Sequence, residues 1–137
     1  MAIQVITLKS ILAAVLGLFL FCSVAKADEC IAVEKFATAM AKEGIVLRGS
    51  TAAATQKLAK LFNENREARG QPAAEISIFL FGLVTANSGD QGALVAIADK
   101  RGCVVGRSIT ILSLRTWAEY ITLAGVSPKE FIPLDGA

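Results

Sequence analysis

The 137-residue sequence predicts an α+β domain: two N-terminal helices, a three-stranded antiparallel meander, then a C-terminal helix packed on the sheet. Three observations lead there. Apolar residues recur at helical spacing twice before residue 70. A dense run of β-branched and aromatic residues, broken by turn clusters, fills residues 76–107. Helical spacing returns after Ser113.

Each element has its own signal. Asp28 is placed to cap the first helix, with Glu29 in its opening turn, where negative charge meets the helix dipole. Val33, Phe36, Ala37 and Met40 then line one face, and Gly44 supplies a left-handed stop. Ile45, Val46 and Leu47 fit either a brief strand or buried loop, because three residues carry no readable period. Ser50 or Thr51 caps a second helix reaching about Arg69. Ala54, Leu58, Leu61 and Phe62 form its apolar stripe, and Lys57, Lys60, Glu64, Arg66 and Glu67 its wet side. Gly70 ends this helix, and Pro72 prevents it from resuming.

From Ile76 the pattern changes. Residues 76–81 contain one polar residue, Ser77, which suits a strand buried on both faces. Residues 87–92 form a turn cluster, residues 93–98 a second strand, and residues 99–102 a tight turn with Gly102 in the positive-φ slot. Cys103 to Arg107 return as the third strand. A third helix begins near Ser113, with Leu114, Trp117, Ala118 and Ile121 on its inner face and Gly125 as its stop. Tyr120 falls on a more exposed position than Trp117. Ser127, Pro128 and Glu130 have the spacing of a capping box around a short helical turn that presents Phe131 to the core.

Residues 1–27 have the grammar of a secretory signal peptide. Lys9 precedes an apolar run from Ile11 to Phe21, and the small residues Ala25 and Ala27 mark the exit. The run is shorter than the about 20 residues a spanning helix needs, so no stable membrane insertion is expected after cleavage. Phe21 before Cys22 is too large for a lipoprotein signal. Residues 28–137 are then a single α+β domain, exported to a periplasm or secreted.

Cleavage removes Lys9 and Lys26 from 14 basic residues, leaving twelve against 12 acidic ones. A neutral domain lacks the positive field of a nucleic-acid binder, and nucleic acid is not an expected partner. Of the three cysteines, Cys30 and Cys103 remain, and an oxidising compartment favours their pairing as a structural staple between the first helix and the sheet.

Histidine is absent. That excludes Ser-His and Cys-His nucleophile pairs and imidazole metal sites. No catalytic residue, cofactor or metal is expected. Ser88 lies in a glycine-flanked turn, Asp90 and Asp99 occupy turns for backbone reasons, and Glu64 and Glu67 share a solvated helix face with Lys60 and Arg66. What stands out is a cluster of Lys100, Arg101 and Arg107 around the hairpin, with Arg115 following. These four are candidate partner-binding residues, suited to an acidic protein surface or an anionic envelope component. The functional expectation is a small exported, non-catalytic binding domain. The alternative is a small His-independent hydrolase of cell-wall or glycan material using Ser88, Asp90, Glu64 or Glu67. A strand-adding partner would need an open sheet edge, and the apolar strand at residues 76–84 would be a liability there.

Overall fold

The computed structural model describes residues 30–134, and the proposed leader and the Asp28 cap lie outside the described residues. In chain order the elements are β1 (Cys30–Ala32), α1 (Val33–Lys42), β2 (Arg48–Ser50), α2 (Ala52–Ala68), β3 (Ile76–Thr85), β4 (Gln91–Asp99), β5 (Cys103–Val105), a 3-10 turn (Gly106–Ser108), β6 (Thr110–Ser113), α3 (Leu114–Ala124), a second 3-10 turn (Pro128–Glu130) and β7 (Phe131–Pro133).

The class is α+β, but the expected three-stranded meander is wrong. Among the described residues seven strands form one antiparallel sheet, in the order β1-β5-β4-β3-β2-β7, with β6 beside β4. The meander is its centre. Four added strands of three or four residues each widen it on both sides. Cys30 to Ala32 are not the start of a helix. They pair with Val105 to Cys103, so α1 begins at Val33 with Ala32 as an N-cap that makes no side-chain bond. The predicted third strand also breaks. After Val105 the 3-10 turn intervenes, and β6 resumes the ladder with β4 from Thr110 to Ser113.

The helices do not all pack on one face. Leu80 and Val84 of β3 and Leu94, Ala96 and Ala98 of β4 point to one side, where Phe36 and Met40 of α1 cover them. Phe79, Ala93 and Val95 point to the other, under Ala54 and Leu58 of α2 and Trp117 and Ile121 of α3. A strand pair apolar on both faces has to be covered on both. A β-bulge sets the alternation at the start of β3. Ile76 faces Asp99 and Ile78 faces Ala98, so Ser77 is the extra residue, and Ile76 and Ile78 end on opposite faces. β3 lies between β2 and β4, so it is not the outer strand of the sheet, with β2 pairing it at Leu80 and Phe81.

Other expectations are met. Gly102 (φ 78°) closes the β4–β5 turn, with its N–H donating to Asp99 O at 2.9 Å. Gly44 and Gly125 adopt left-handed backbone just past α1 and α3. Ser127 and Glu130 form the capping box, and Phe131 is 2% exposed. Thr51 is the α2 cap, accepting from Ala54 N–H. Cys30 and Cys103 form a disulfide with Cα atoms 4.9 Å apart. It joins β1 to β5, so it anchors α1 only through the strand that leads directly into it. No helix among the described residues is long and apolar enough to cross a membrane.

Candidate functional site

The second face of the sheet is incompletely roofed. α2 and α3 meet where Lys57 Nζ donates to Gly125 O at 3.3 Å, near the start of one helix and the end of the other. The C-terminal half of α2, the first turns of α3 and the β4–β5–β6 region are left around a groove. It consists of two adjoining clefts of about 510 Å³ and about 290 Å³ that share Phe62, Arg66, Ile97, Arg107 and Ser108. Pockets that take small ligands span about 300–1,000 Å³.

Each wall has a local cause. The connection from α2 to β3 is pinned to the helix by Asn63, whose Oδ1 accepts from Ala74 N–H (2.8 Å) while its Nδ2 donates to Ala74 O (3.1 Å). Arg66 donates from Nε to Pro72 O at 2.7 Å, with its guanidinium 5.9 Å from the centre of the Phe62 ring. The floor is built by the interrupted strand. Where the 3-10 turn leaves the ladder, Ser108 Oγ accepts from Ile97 N–H at 3.3 Å and lies 2.8 Å from Val105 O and 3.1 Å from Ile97 O, the acceptors for its own proton. One hydroxyl thus replaces a missing rung, and the same turn carries Arg107 out over the floor. Trp117 and Tyr120 close one end, their rings stacked with centroids 6.2 Å apart.

The groove concentrates positive charge. Arg69, Lys100 and Arg107 line it with no hydrogen-bond or ion-pair partner for their side chains among the described residues. Arg101 lines it too, but its charge is engaged. Nε and Nη2 donate to Asp99 Oδ2 at 3.0 and 2.7 Å, while Asp99 Oδ1 accepts from the N–H groups of Arg101 and Cys103. The Arg101 side chain holds the Asp99 carboxyl below the usual carboxylate range, against a smaller opposing effect of burial. Tyr120 Oη, at the α3 wall, is buried with no hydrogen-bond partner among the described residues, and desolvation raises its pKa.

Of the four residues singled out from sequence, the structure brings Lys100, Arg101 and Arg107 to one cleft and leaves Arg115 elsewhere. Arg115 pairs with Glu119 at 3.7 Å on the exposed side of α3. Ser88 Oγ donates to Asp90 inside the β3–β4 turn, the opposite end of those strands from the Asp99 hairpin. Glu64 and Glu67 are exposed on α2 and line neither cleft. Among the described residues no group of three or more Cys, Asp or Glu side chains is placed to hold a metal ion.

Sequence reasoning missed Phe62, Arg66, Arg69 and Ser108 as groove residues. A signal for the arginines was present. Leu58, Phe62, Arg66 and Arg69 follow one another at i+4, i+4 and i+3, so the apolar stripe of α2 turns basic without leaving its face. Arg66, assigned to the wet side, is half-buried in the groove wall. Comparison of the chain with protein-family models, with curated proteins and with solved structures gives no match.

Proposed function

We propose that this chain is an exported, non-catalytic binding domain, and that the groove beneath α2 and α3 takes an anionic partner, either an acidic protein segment or an envelope component. The observation that carries the reading is the set of unpaired cations Arg69, Lys100 and Arg107, delivered from three elements to one concave, partly apolar surface. Glu75 and Asp99 also line the larger cleft, but the basic side chains outnumber them, and a bound anion relieves the repulsion that remains. Export is supported by the leader-like residues 1–27 and by a disulfide of a kind that persists in oxidising compartments. Binding is favoured over turnover because Ser88 and Asp90 bond each other away from the groove and the α2 glutamates do not line it.

The test is a titration of the purified protein with a polyglutamate peptide and, separately, an anionic polysaccharide, followed through Trp117, the only tryptophan in the chain. At least one should bind, with affinity that falls as salt rises and drops at least about ten-fold in an Arg69→Ala/Arg107→Ala double variant. Equal binding by the double variant would remove the groove from the reading. Failure of every anionic probe would remove the reading itself.

A further inference from the structure

We infer that the occupant of the groove is a single-chain anionic amphiphile, its acyl chain lying on the apolar floor of the smaller cleft and its carboxylate or phosphate head held by Arg69, Arg107 and the hydroxyl of Tyr120. This deepens the proposed binding function and rests on it. The floor comes first. Phe79, Val95, Ile97 and Leu112 present side chains from three neighbouring strands, bounded by the rings of Phe62 and Trp117. An alkyl chain laid on these four side chains gains by leaving water, although Ser108 and Thr110 also line the cleft.

The rim chooses the head group. Arg69 and Arg107 have no partner among the described residues, and guanidinium forks match carboxylate and phosphate oxygens two at a time. Their neighbour Arg66 is fixed by Pro72 O, so part of the positive field is preset.

Tyr120 is the independent observation. Its Oη is covered from water and has no acceptor among the described residues, an arrangement that native proteins seldom keep. Burial keeps the phenol protonated well past neutral pH, so it is a donor awaiting an acceptor. The Tyr120 ring lines the smaller cleft together with Arg69 and Arg107, and in the inferred complex its hydroxyl is the donor to an anionic oxygen bound there. A neutral alcohol offers that hydroxyl an acceptor but offers the two arginines no charge, and so it should bind poorly.

The experiment uses the purified protein and three probes of equal chain length: dodecanoate and dodecyl phosphate below their critical micelle concentrations, and dodecanol below its solubility limit. Binding is read by Trp117 fluorescence and by calorimetry. At least one anionic probe should bind and shift Trp117, with dodecanol at least ten-fold weaker. The tighter of the two anions identifies the head group. Tyr120→Phe, which keeps the ring, should weaken that anion about five- to ten-fold, and Arg107→Ala, an exposed change, about ten-fold. Equal binding of dodecanol, or unchanged affinity in Tyr120→Phe, overturns the inference. If polyglutamate or polysaccharide binds while both anionic amphiphiles fail, the amphiphile is wrong and the anionic groove stands. If all anions fail, both fall.

Discussion

Replacing Ser50 by alanine removes one buried oxygen that bonds two groups and strands one of them. Ser50 Oγ accepts from the Phe79 N–H at 3.0 Å and lies 2.6 Å from Thr55 Oγ1. Thr55 Oγ1 is 2.8 Å from Thr51 O, a better acceptor for its single proton than Ser50 O at 3.5 Å. The Ser50 proton therefore points to Thr55, and the network has one direction: Phe79 N–H to Ser50, Ser50 to Thr55, Thr55 to the carbonyl of the α2 cap. In Ser50→Ala the Phe79 amide, in a residue 2% exposed, keeps no partner on that side. An unsatisfied buried donor costs about 1–3 kcal/mol, and Thr55 loses only a donor to an oxygen that still donates. The expected loss is about 2 kcal/mol, a large share of the about 5–15 kcal/mol typical of a domain. Urea unfolding followed by Trp117 fluorescence should show the midpoint falling by about 1.5 M with an unchanged slope. Thr55→Val leaves the Phe79 bond intact and should cost about half as much, and the double variant should cost less than the sum of the two. A Ser50→Ala loss below about 0.5 kcal/mol, or strict additivity, would refute the network.

Three further outcomes concern a tightly packed glycine, the disulfide and one carboxylate. Gly82→Ala would place a Cβ 2.8 Å from Ile45 Cγ2, 3.0 Å from Leu47 Cδ2 and 3.2 Å from the Val46 carbonyl, and a backbone oxygen yields less readily than a methyl. A loss of about 1–3 kcal/mol in urea unfolding is expected, and a neutral result would show that the 45–47 segment moves freely. Reducing the Cys30–Cys103 bond, which spans a sequence separation of 73, should cost up to about 4 kcal/mol on the chain-entropy model, measured as lower thermal stability with dithiothreitol. Because the folded Asp99 pKa is depressed, its contribution to stability is complete above the unfolded aspartate value of about 3.9 and is lost as pH falls through the folded one. Asp99→Asn should flatten the acid limb of a stability–pH curve below about pH 4, by a modest amount because the Asp99 side chain is 27% exposed.

Long elements were legible and short ones were not, for reasons of information content. α1, α2 and α3 each repeat their apolar stripe over ten or more residues, and the residue 99–102 turn carries its glycine at the slot its geometry demands. A three-residue strand has no period to read. Cys30 to Ala32 resemble the run-in to α1, and they become a strand only because β5 lies alongside. Arg48, Gly49 and Ser50 carry no strand period either, and Gly49 serves close packing: a Cβ there would fall 2.5 Å from Ile78 Cδ1. The two-faced packing did have a trace in the sequence. The one-polar run from Ile76 to Phe81 requires cover on both sides, which three helices on one face could not provide.

The groove was half legible because charge in a sequence is read by adjacency, whereas charge on a surface is set by compensation. Lys100, Arg101, Arg107 and Arg115 looked like one patch. Folding removes Arg101 into Asp99 and Arg115 toward Glu119, so two of the four are spoken for by acids two and four residues away. The other two gain Arg69, about thirty residues earlier, because α2 crosses the sheet where the β5–β6 break lifts Arg107. A chain with a formal net charge of only +2 thereby acquires a locally basic concavity. Such an imbalance works against the free fold, since neighbouring cations repel and Tyr120 keeps a buried hydroxyl without a partner among the described residues. A ligand that binds only the folded state reverses both penalties, and its stabilising effect grows with concentration as RT ln(1 + [L]/Kd). On the proposed reading, an anion held by Arg69, Arg107 and Tyr120 would therefore stabilise the fold to a degree set by its affinity.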